Sequence, residues 1–76
     1  MQKIEHILNK VRPDNDFHSS NNFIDDGLLD SFDIVTLVTE LDEAFSISID
    51  GIDIIPENFK NIEAIKLLLQ KKGVEL

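Results

Sequence analysis

Three stretches of this chain repeat apolar residues at the spacing of one face of an α-helix, and this pattern limits the fold most strongly. The stretches hold Ile4, Ile7, Leu8 and Val11; Ile34, Val38, Leu41 and Phe45; and Ile62, Ile65, Leu68 and Leu69. Residues three, four and seven apart lie on one side of a helix, so each stretch can turn an apolar face toward the others. We therefore predict an all-α fold in which three main helices pack as a bundle.

Local signals predict the ends of these helices. Pro13 disfavours helical geometry at the residue before it, so the first helix is expected to end there. The second helix is expected to begin at Asp30 or Ser31 and to run to about Phe45. The last helix is expected to begin near Asn61, whose side chain is an acceptable N-cap.

The segment between the second and last helices is predicted to be mostly irregular. Phe45, Ile47 and Ile49 alternate as in a β-strand, but no other segment resembles a partner strand, so an extended connector is expected. Asp50 is then expected to cap a short helical turn, which Pro56 follows. The predicted fold class is thus all-α, a four-helix bundle with three main helices, one short helix and a long first loop.

The predicted first loop, residues 14–30, is rich in Asn, Asp, Ser and Gly. Loops longer than about 12–15 residues are uncommon in compact domains and are usually functional or disordered. This loop carries five large apolar residues that can attach it to the core: Phe17, Phe23, Ile24, Leu28 and Leu29. We therefore predict an ordered loop, with Gly27 supplying a turn that other residues resist.

Length and composition exclude several classes of protein. A chain of 76 residues is expected to form one domain, residues 1–76. It has no cysteine, which excludes a disulfide scaffold, a thiolate metal site and cysteine catalysis. No apolar run approaches the roughly 20 residues that span a membrane, and the N-terminus is unlike a signal peptide. We expect a soluble, cytoplasmic monomer.

The charges are segregated along the chain. The net charge is −8, and the segment between Pro13 and Phe59 contains 12 of the 15 acidic residues and no Lys or Arg. Such a segment repels phosphate backbones, so we expect no nucleic-acid binding. It can attract a basic protein surface, or it can simply keep the chain in solution, and charge alone leaves both interpretations open.

The acidic residues do not follow a metal-binding pattern. Residues 14–16, Asp-Asn-Asp, begin like a calcium loop, but His18, Ser19 and Asp25 stand where that loop needs an oxygen ligand, a glycine and a glutamate. The two histidines, His6 and His18, have no ligand partner at helical spacing. We therefore predict no metal site, and assign the acids to turns and helix caps.

The sequence gives little support to catalysis by this chain. Ser31 is not in a Gly-x-Ser-x-Gly setting. A triad with His18 and an aspartate can be drawn, but a bundle of this size offers little enclosure around it. We predict no catalytic residues.

Ser31 nevertheless stands in a distinctive place, at a predicted helix start, after a glycine turn and beside Asp30. An Asp-Ser pair before an apolar run is by itself usually only a helix cap. A hydroxyl there is expected to be exposed, and the helix N-terminus stabilises an anion attached to it. Ser31 is therefore well placed to carry a covalent phosphate group.

The run Asp-Gly-Leu-Leu-Asp-Ser-Phe-Asp-Ile-Val-Thr-Leu-Val, residues 26–38, resembles the signature of acyl carrier and peptidyl carrier proteins. The rest of the family pattern follows in order and spacing: Leu-Asp-Glu-Ala-Phe at 41–45, Ile47, Ile49, Pro-Glu-Asn-Phe at 56–59, and Ile62. The resemblance covers nearly the whole chain.

The resemblance implies that Ser31 is esterified by 4′-phosphopantetheine. Coenzyme A would be the donor, and a separate phosphopantetheinyl transferase would attach the arm with magnesium. The thiol of the arm would hold an acyl or aminoacyl group as a thioester, which accounts for a carrier that has no cysteine. The chain would therefore be a carrier and not an enzyme.

The resemblance also implies partners and contact residues. The partners would be the transferase, an adenylating enzyme that loads the cargo, and a downstream transferase or synthase. Asp30 would help transferase recognition, while Gly27, Leu28 and Leu29 would shape the turn that presents the serine. The candidate partner contacts are Phe32 and Val35, which are apolar, and Asp33, Glu40, Asp42 and Glu43, which are acidic. Core packing competes with this role for Phe32, and a solvated face competes with it for the acids.

Three residues depart from the pattern usual in fatty-acid synthesis. Thr36 and Thr39 replace an acidic and a large apolar residue, and Phe32 replaces the commoner leucine after the serine. A specialised pathway that uses an amino acid or an unusual acid is thus as well supported as fatty-acid synthesis; D-alanyl carriers and free-standing peptidyl carriers are the models. The alternative from another class is a small acidic helical adaptor that binds a basic partner and is never modified.

Overall fold

The computed structural model describes residues 2–17 and 20–75; for Gln2 it describes the backbone only. Its α-helices are α1 Gln2–Val11, α2 Ser31–Phe45, α3 Pro56–Phe59 and α4 Ile62–Lys71, and a 3-10 turn spans Gly51–Asp53 between α2 and α3. The described residues include no β-strand, so the predicted all-α class is confirmed. Predictions about His18 and Ser19 concern residues that lie outside the described ranges.

The core is built from the apolar faces predicted from the sequence. Helix α1 packs against α2 and α4, and α3 packs against α4. The three long helices and the first loop supply most of the buried side chains, and the connector after α2 and α3 add one each: Ile4, Ile7, Leu8, Phe17, Phe23, Leu29, Ile34, Leu37, Val38, Leu41, Ile49, Phe59, Ile65, Leu68 and Leu69. Burial of these faces provides most of the stabilisation available to such short helices, because isolated helices of this length are marginal in water.

Helix α2 ends where the sequence predicts, and α1 stabilises that end. Ser46 follows the helix in a left-handed conformation, with φ of 55°. The last turn of α2 has no basic residue of its own. Lys3 of α1 supplies one, because its ammonium group donates to the Ala44 carbonyl at 3.1 Å and lies 4.6 Å from the centre of the Phe45 ring. A cation at this position interacts favourably with the helix dipole.

The described part of the first loop packs against the bundle, as its apolar residues led us to expect. The rings of Phe17 and Phe23 meet edge to face, with centroids 5.0 Å apart. The loop also bonds to the segment between α3 and α4, because the backbone N–H of Phe23 donates to the Lys60 carbonyl and the Asn61 side chain donates to the Asn21 carbonyl at 3.1 Å. These contacts hold the polar loop against the bundle.

The prediction for the region around Pro56 was right in part, because a short helical turn follows Asp50, but it missed the helix that begins at Pro56. Instead of one short turn that ends before Pro56, the chain forms the 3-10 turn and then a separate helix, α3, in which proline is the first residue. Proline has no N–H to lose in a first helical turn, so it begins a helix as readily as it follows one. Asp50 precedes the 3-10 turn, but its side chain makes no capping hydrogen bond there.

The Asp50 carboxylate instead belongs to an ionic cluster, here called the lysine clasp and made of Asp50, Asp53, Lys71 and Lys72. The Lys72 ammonium group lies 2.6 Å from Asp53 and 3.0 Å from Asp50, and Lys71 lies 3.9 Å from Asp53. The hydrogen bond from Lys72 holds the pKa of Asp53 below its ordinary value, and the same contact raises the pKa of Lys72. The clasp joins the 3-10 turn to the end of α4.

Removal of the Lys72 ammonium group is expected to change how the free energy of unfolding depends on pH. The lowered pKa of Asp53 stabilises the fold above the ordinary value of 3.8, and this contribution is lost as pH falls through the folded-state pKa. The raised pKa of Lys72 stabilises the fold below 10.5, and this contribution is lost as pH rises through the folded-state pKa. Urea midpoints of the wild type and of Lys72→Met should therefore differ most between these two limits and converge outside them.

The matched control is Lys66→Met, which removes a lysine charge from α4, the helix that Lys72 directly follows. Its urea midpoint relative to wild type should vary less with pH than that of Lys72→Met. A difference between wild type and Lys72→Met that is the same at acidic and neutral pH would contradict a stabilising role for the clasp.

Candidate functional site

Ser31 is the first residue of α2 and is exposed. The residue before it, Asp30, is the N-cap, so the serine does not cap the helix itself. Within the described residues, no hydrogen bond joins the Ser31 hydroxyl to another group. This hydroxyl is therefore accessible to another molecule and lies at the positive end of the α2 dipole.

The backbone around Ser31 is held by a reciprocal capping box. The Asp30 carboxylate accepts from the Asp33 N–H at 2.9 Å, and the Asp30 N–H donates to the Asp33 carboxylate at 3.1 Å. The first of these bonds is the main reason that the pKa of Asp30 lies below its ordinary value; the charge of Arg12 acts in the same direction. Two otherwise unpaired N–H groups of the helix start are satisfied in this way, which fixes the serine between them.

The turn before the serine is closed by backbone bonds. Gly27 has φ of +75°, the left-handed conformation that the sequence analysis expected a glycine to supply. The N–H groups of Leu28 and Leu29 both donate to the Phe23 carbonyl, at 2.7 and 3.1 Å. Leu29 is buried in the core and Leu28 is half-buried. The turn that presents Ser31 is therefore attached to the core on its upstream side.

Two contacts from the segment that directly follows α1 also reach this region, and the sequence pattern predicts neither of them. The Arg12 guanidinium donates to Asp33 at 2.9 Å. The Asn15 side chain donates to the Leu28 carbonyl at 3.0 Å. Only a tertiary structure shows these contacts, because the partners are 21 and 13 residues apart.

The apolar residues after the serine form an exposed stripe on α2. Phe32 is 83% exposed and Val35 is 60% exposed. The alternative prediction, that Phe32 packs in the core, was wrong. The hydroxyls of Thr36 and Thr39 donate to the carbonyls of Phe32 and Val35, four residues earlier, at 3.2 Å each. The two threonines thus satisfy their own polar groups and add no charge to this stripe.

The acidic candidates on α2 have different environments. Asp33 and Glu40 are half-buried, and each pairs with a cation at 2.9 Å: Asp33 with Arg12, which directly follows α1, and Glu40 with Lys10 of α1. Asp42 accepts from the Ile49 N–H at 3.0 Å and so holds the connector after the helix. Glu43 is exposed. Part of the acidic charge predicted for partner contact is therefore already paired within the chain.

Ser31 is exposed and lies outside the two clefts described below. Two clefts of about 240 and 280 Å³ lie where the first loop meets α3 and α4, and Ser31 lines neither. Across residues 2–17 and 20–75, no group of three His, Asp or Glu side chains is arranged to hold a metal ion. None of the helices in the described ranges is long and apolar enough to cross a membrane.

Comparison with known proteins gave no match, whether to a family model, to a curated protein or to a solved structure. The assignment of function therefore rests on the residues and the geometry around Ser31.

Proposed function

We propose that this chain is a carrier protein that bears an acyl or aminoacyl group on a 4′-phosphopantetheine arm esterified to Ser31. The observation that carries the proposal is an exposed serine, held at the first position of α2 between a glycine turn and a capping box, within a run that resembles the carrier signature. A helical bundle with a long first loop and a short α3 is compatible with an acyl-carrier-like fold.

The residues present fit such an arm. The Ser31 hydroxyl is exposed, and its neighbours Asp30 and Phe32 are exposed as well, so a bulky group has room to attach. The N–H groups and dipole at the start of α2 favour the negative phosphodiester that attachment creates. Asp30 and Asp33 oppose this charge, but Arg12 offsets part of theirs.

In the attachment reaction, this chain supplies the nucleophile. The Ser31 oxygen forms a bond to the phosphorus on the pantetheine side of coenzyme A, and the bond from that phosphorus to the bridging oxygen breaks. Adenosine 3′,5′-bisphosphate leaves, and the hydroxyl proton passes to a base of the transferase, which also binds the magnesium ion. When bound, the arm supplies a thiol that holds the cargo as a thioester at high effective concentration near each partner's active site.

The surface beside Ser31 supports partner contact. Phe32 and Val35 give an apolar stripe directly after the serine, and apolar residues of this kind commonly anchor protein interfaces. Glu43 adds an exposed negative charge on the same helix, and Asp33 and Glu40 add charge that Arg12 and Lys10 partly offset. Such charge favours a basic partner surface and accelerates encounter. The proposed partners are the phosphopantetheinyl transferase, an adenylating enzyme that loads the arm, and a downstream transferase or synthase of a specialised pathway or of fatty-acid synthesis.

Intact mass spectrometry tests the proposal. The chain is first shown by circular dichroism to be helical, and by mass to be unmodified, and is then incubated with coenzyme A, magnesium and a broad-specificity phosphopantetheinyl transferase. We expect a gain of one phosphopantetheine unit, located by peptide fragmentation on Ser31 and not on Ser20, Ser46 or Ser48. No gain in a folded chain, or a gain at another serine, would overturn the proposal; the former outcome favours the unmodified adaptor.

A further inference from the structure

We propose that Arg12 is a positioning residue for arm attachment, because it fixes the capping box that holds Ser31. The inference rests on the proposed function and assigns a role to a residue outside the signature that carries the resemblance.

Arg12 connects the end of α1 to the start of α2 through one oxygen atom, Oδ2 of Asp33. The Arg12 backbone N–H donates to the Leu8 carbonyl at 2.9 Å, which continues the α1 hydrogen bonding. Its guanidinium Nη1 donates to Oδ2 of Asp33 at 2.9 Å. The same Oδ2 accepts from the Asp30 N–H at 3.1 Å. A movement of the Asp33 carboxylate would therefore release the backbone directly before Ser31.

Asn15 provides a second connection from the same segment. Its side chain donates to the Leu28 carbonyl at 3.0 Å, and its backbone N–H donates to the Arg12 carbonyl at 3.2 Å. The segment of residues 12–15 thus holds the chain both before Ser31, at Leu28, and after it, at Asp33. The backbone is therefore held by hydrogen bonds both before and after Ser31.

Arg12 also balances charge at the place where attachment adds a negative group. Asp30 and Asp33 already place two carboxylates within two residues of Ser31, and a phosphodiester adds a third negative charge. The Arg12 side chain is 42% exposed and the Asp33 side chain is 15% exposed, so the pair is partly shielded from solvent. The planar guanidinium suits a carboxylate better than an ammonium group does.

Lys10 of α1 and Glu40 of α2 form a second ion pair, which provides a matched comparison. Their atoms lie 2.9 Å apart, the same distance as in the Arg12–Asp33 pair. Glu40 is, however, more than two helical turns beyond Ser31 along α2. Removal of Lys10 takes away one cation and one α1–α2 ion pair without disturbing the capping box.

The test measures kcat and KM of a phosphopantetheinyl transferase with the full chain as its substrate. We expect Arg12→Gln to lower kcat about tenfold with little change in KM, since the hydroxyl is misplaced while the apolar contacts of Phe32 and Val35 are retained. Arg12→Lys should recover part of the rate. Lys10→Met should remain close to wild type, although urea unfolding should show a similar loss of stability for Lys10→Met and Arg12→Gln.

A double-mutant cycle with Asp33→Asn tests whether Arg12 acts through Asp33. If it does, Arg12→Gln should have little further effect on kcat in the Asp33→Asn background. Equal effects of Arg12→Gln in both backgrounds, a change in KM alone, or a wild-type rate for Arg12→Gln would overturn the inference while leaving the proposed function intact. A wild-type chain that accepts no arm would overturn the proposed function itself.

Discussion

Replacement of Ser31 by alanine is expected to abolish attachment of the arm and to leave the fold intact. Attachment is lost because the hydroxyl oxygen is the atom that forms the new bond to phosphorus. The fold is kept because Asp30, not Ser31, caps α2, and because the serine hydroxyl makes no hydrogen bond within the described residues. A substitution at such an exposed position usually changes the free energy of unfolding by no more than about 0.5 kcal/mol.

The measurement combines intact mass after the transferase reaction with urea unfolding followed by circular dichroism. Ser48→Ala is the matched control, since Ser48 is also exposed but lies in the connector after α2. It should gain the arm as wild type does. A mass gain in Ser31→Ala would show that the attachment site lies elsewhere.

Replacement of Phe59 by alanine is expected to destabilise the fold more than any surface change. The Phe59 side chain has no exposed area and is the buried residue of α3. Truncation of a buried phenylalanine typically costs about 3–5 kcal/mol, because transfer free energy is lost and a cavity remains. A domain of this size rarely has more than about 3–5 kcal/mol from its core, so much of the variant should be unfolded. Urea unfolding at 25 °C measures the loss.

Phe32→Ala makes the same chemical change on the surface and serves as the control. Because Phe32 is 83% exposed, its removal should shift the free energy of unfolding by no more than about 0.5 kcal/mol. Similar losses for the two variants would mean that Phe59 does not occupy the core position described above.

The three long helices, α1, α2 and α4, could be predicted because each has a strong local signal. The stripes of α1, α2 and α4 repeat at helical spacing, and side chains at their starts, such as those of Asp30 and Asn61, accept the hydrogen bonds that N-caps make. The position of Ser31 at the start of α2 follows from the same signals. These features depend on residues within one or two turns of each other, which a sequence pattern contains.

Other features could not be predicted because they depend on which segments meet. Arg12 and Asn15 look like ordinary loop-flanking residues until α1 is placed beside the start of α2. Phe32 lies at the border of the apolar face, so periodicity left open whether it was buried, and in the structure it is exposed. Pro56 allows two local interpretations, a helix stop and a helix start, and the structure adopts the second.

The packing of α1 against α4 has a consequence for the order in which the chain folds. Contact between α3 and α4 closes only a short loop, contact between α1 and α2 closes the long first loop, and contact between α1 and α4 encloses most of the chain. The entropy lost on closing a loop grows with the logarithm of its length, by about 0.6 kcal/mol for each doubling. The meeting of the first and last helices is therefore expected to be the final step of folding, after each helix has found its nearer neighbour.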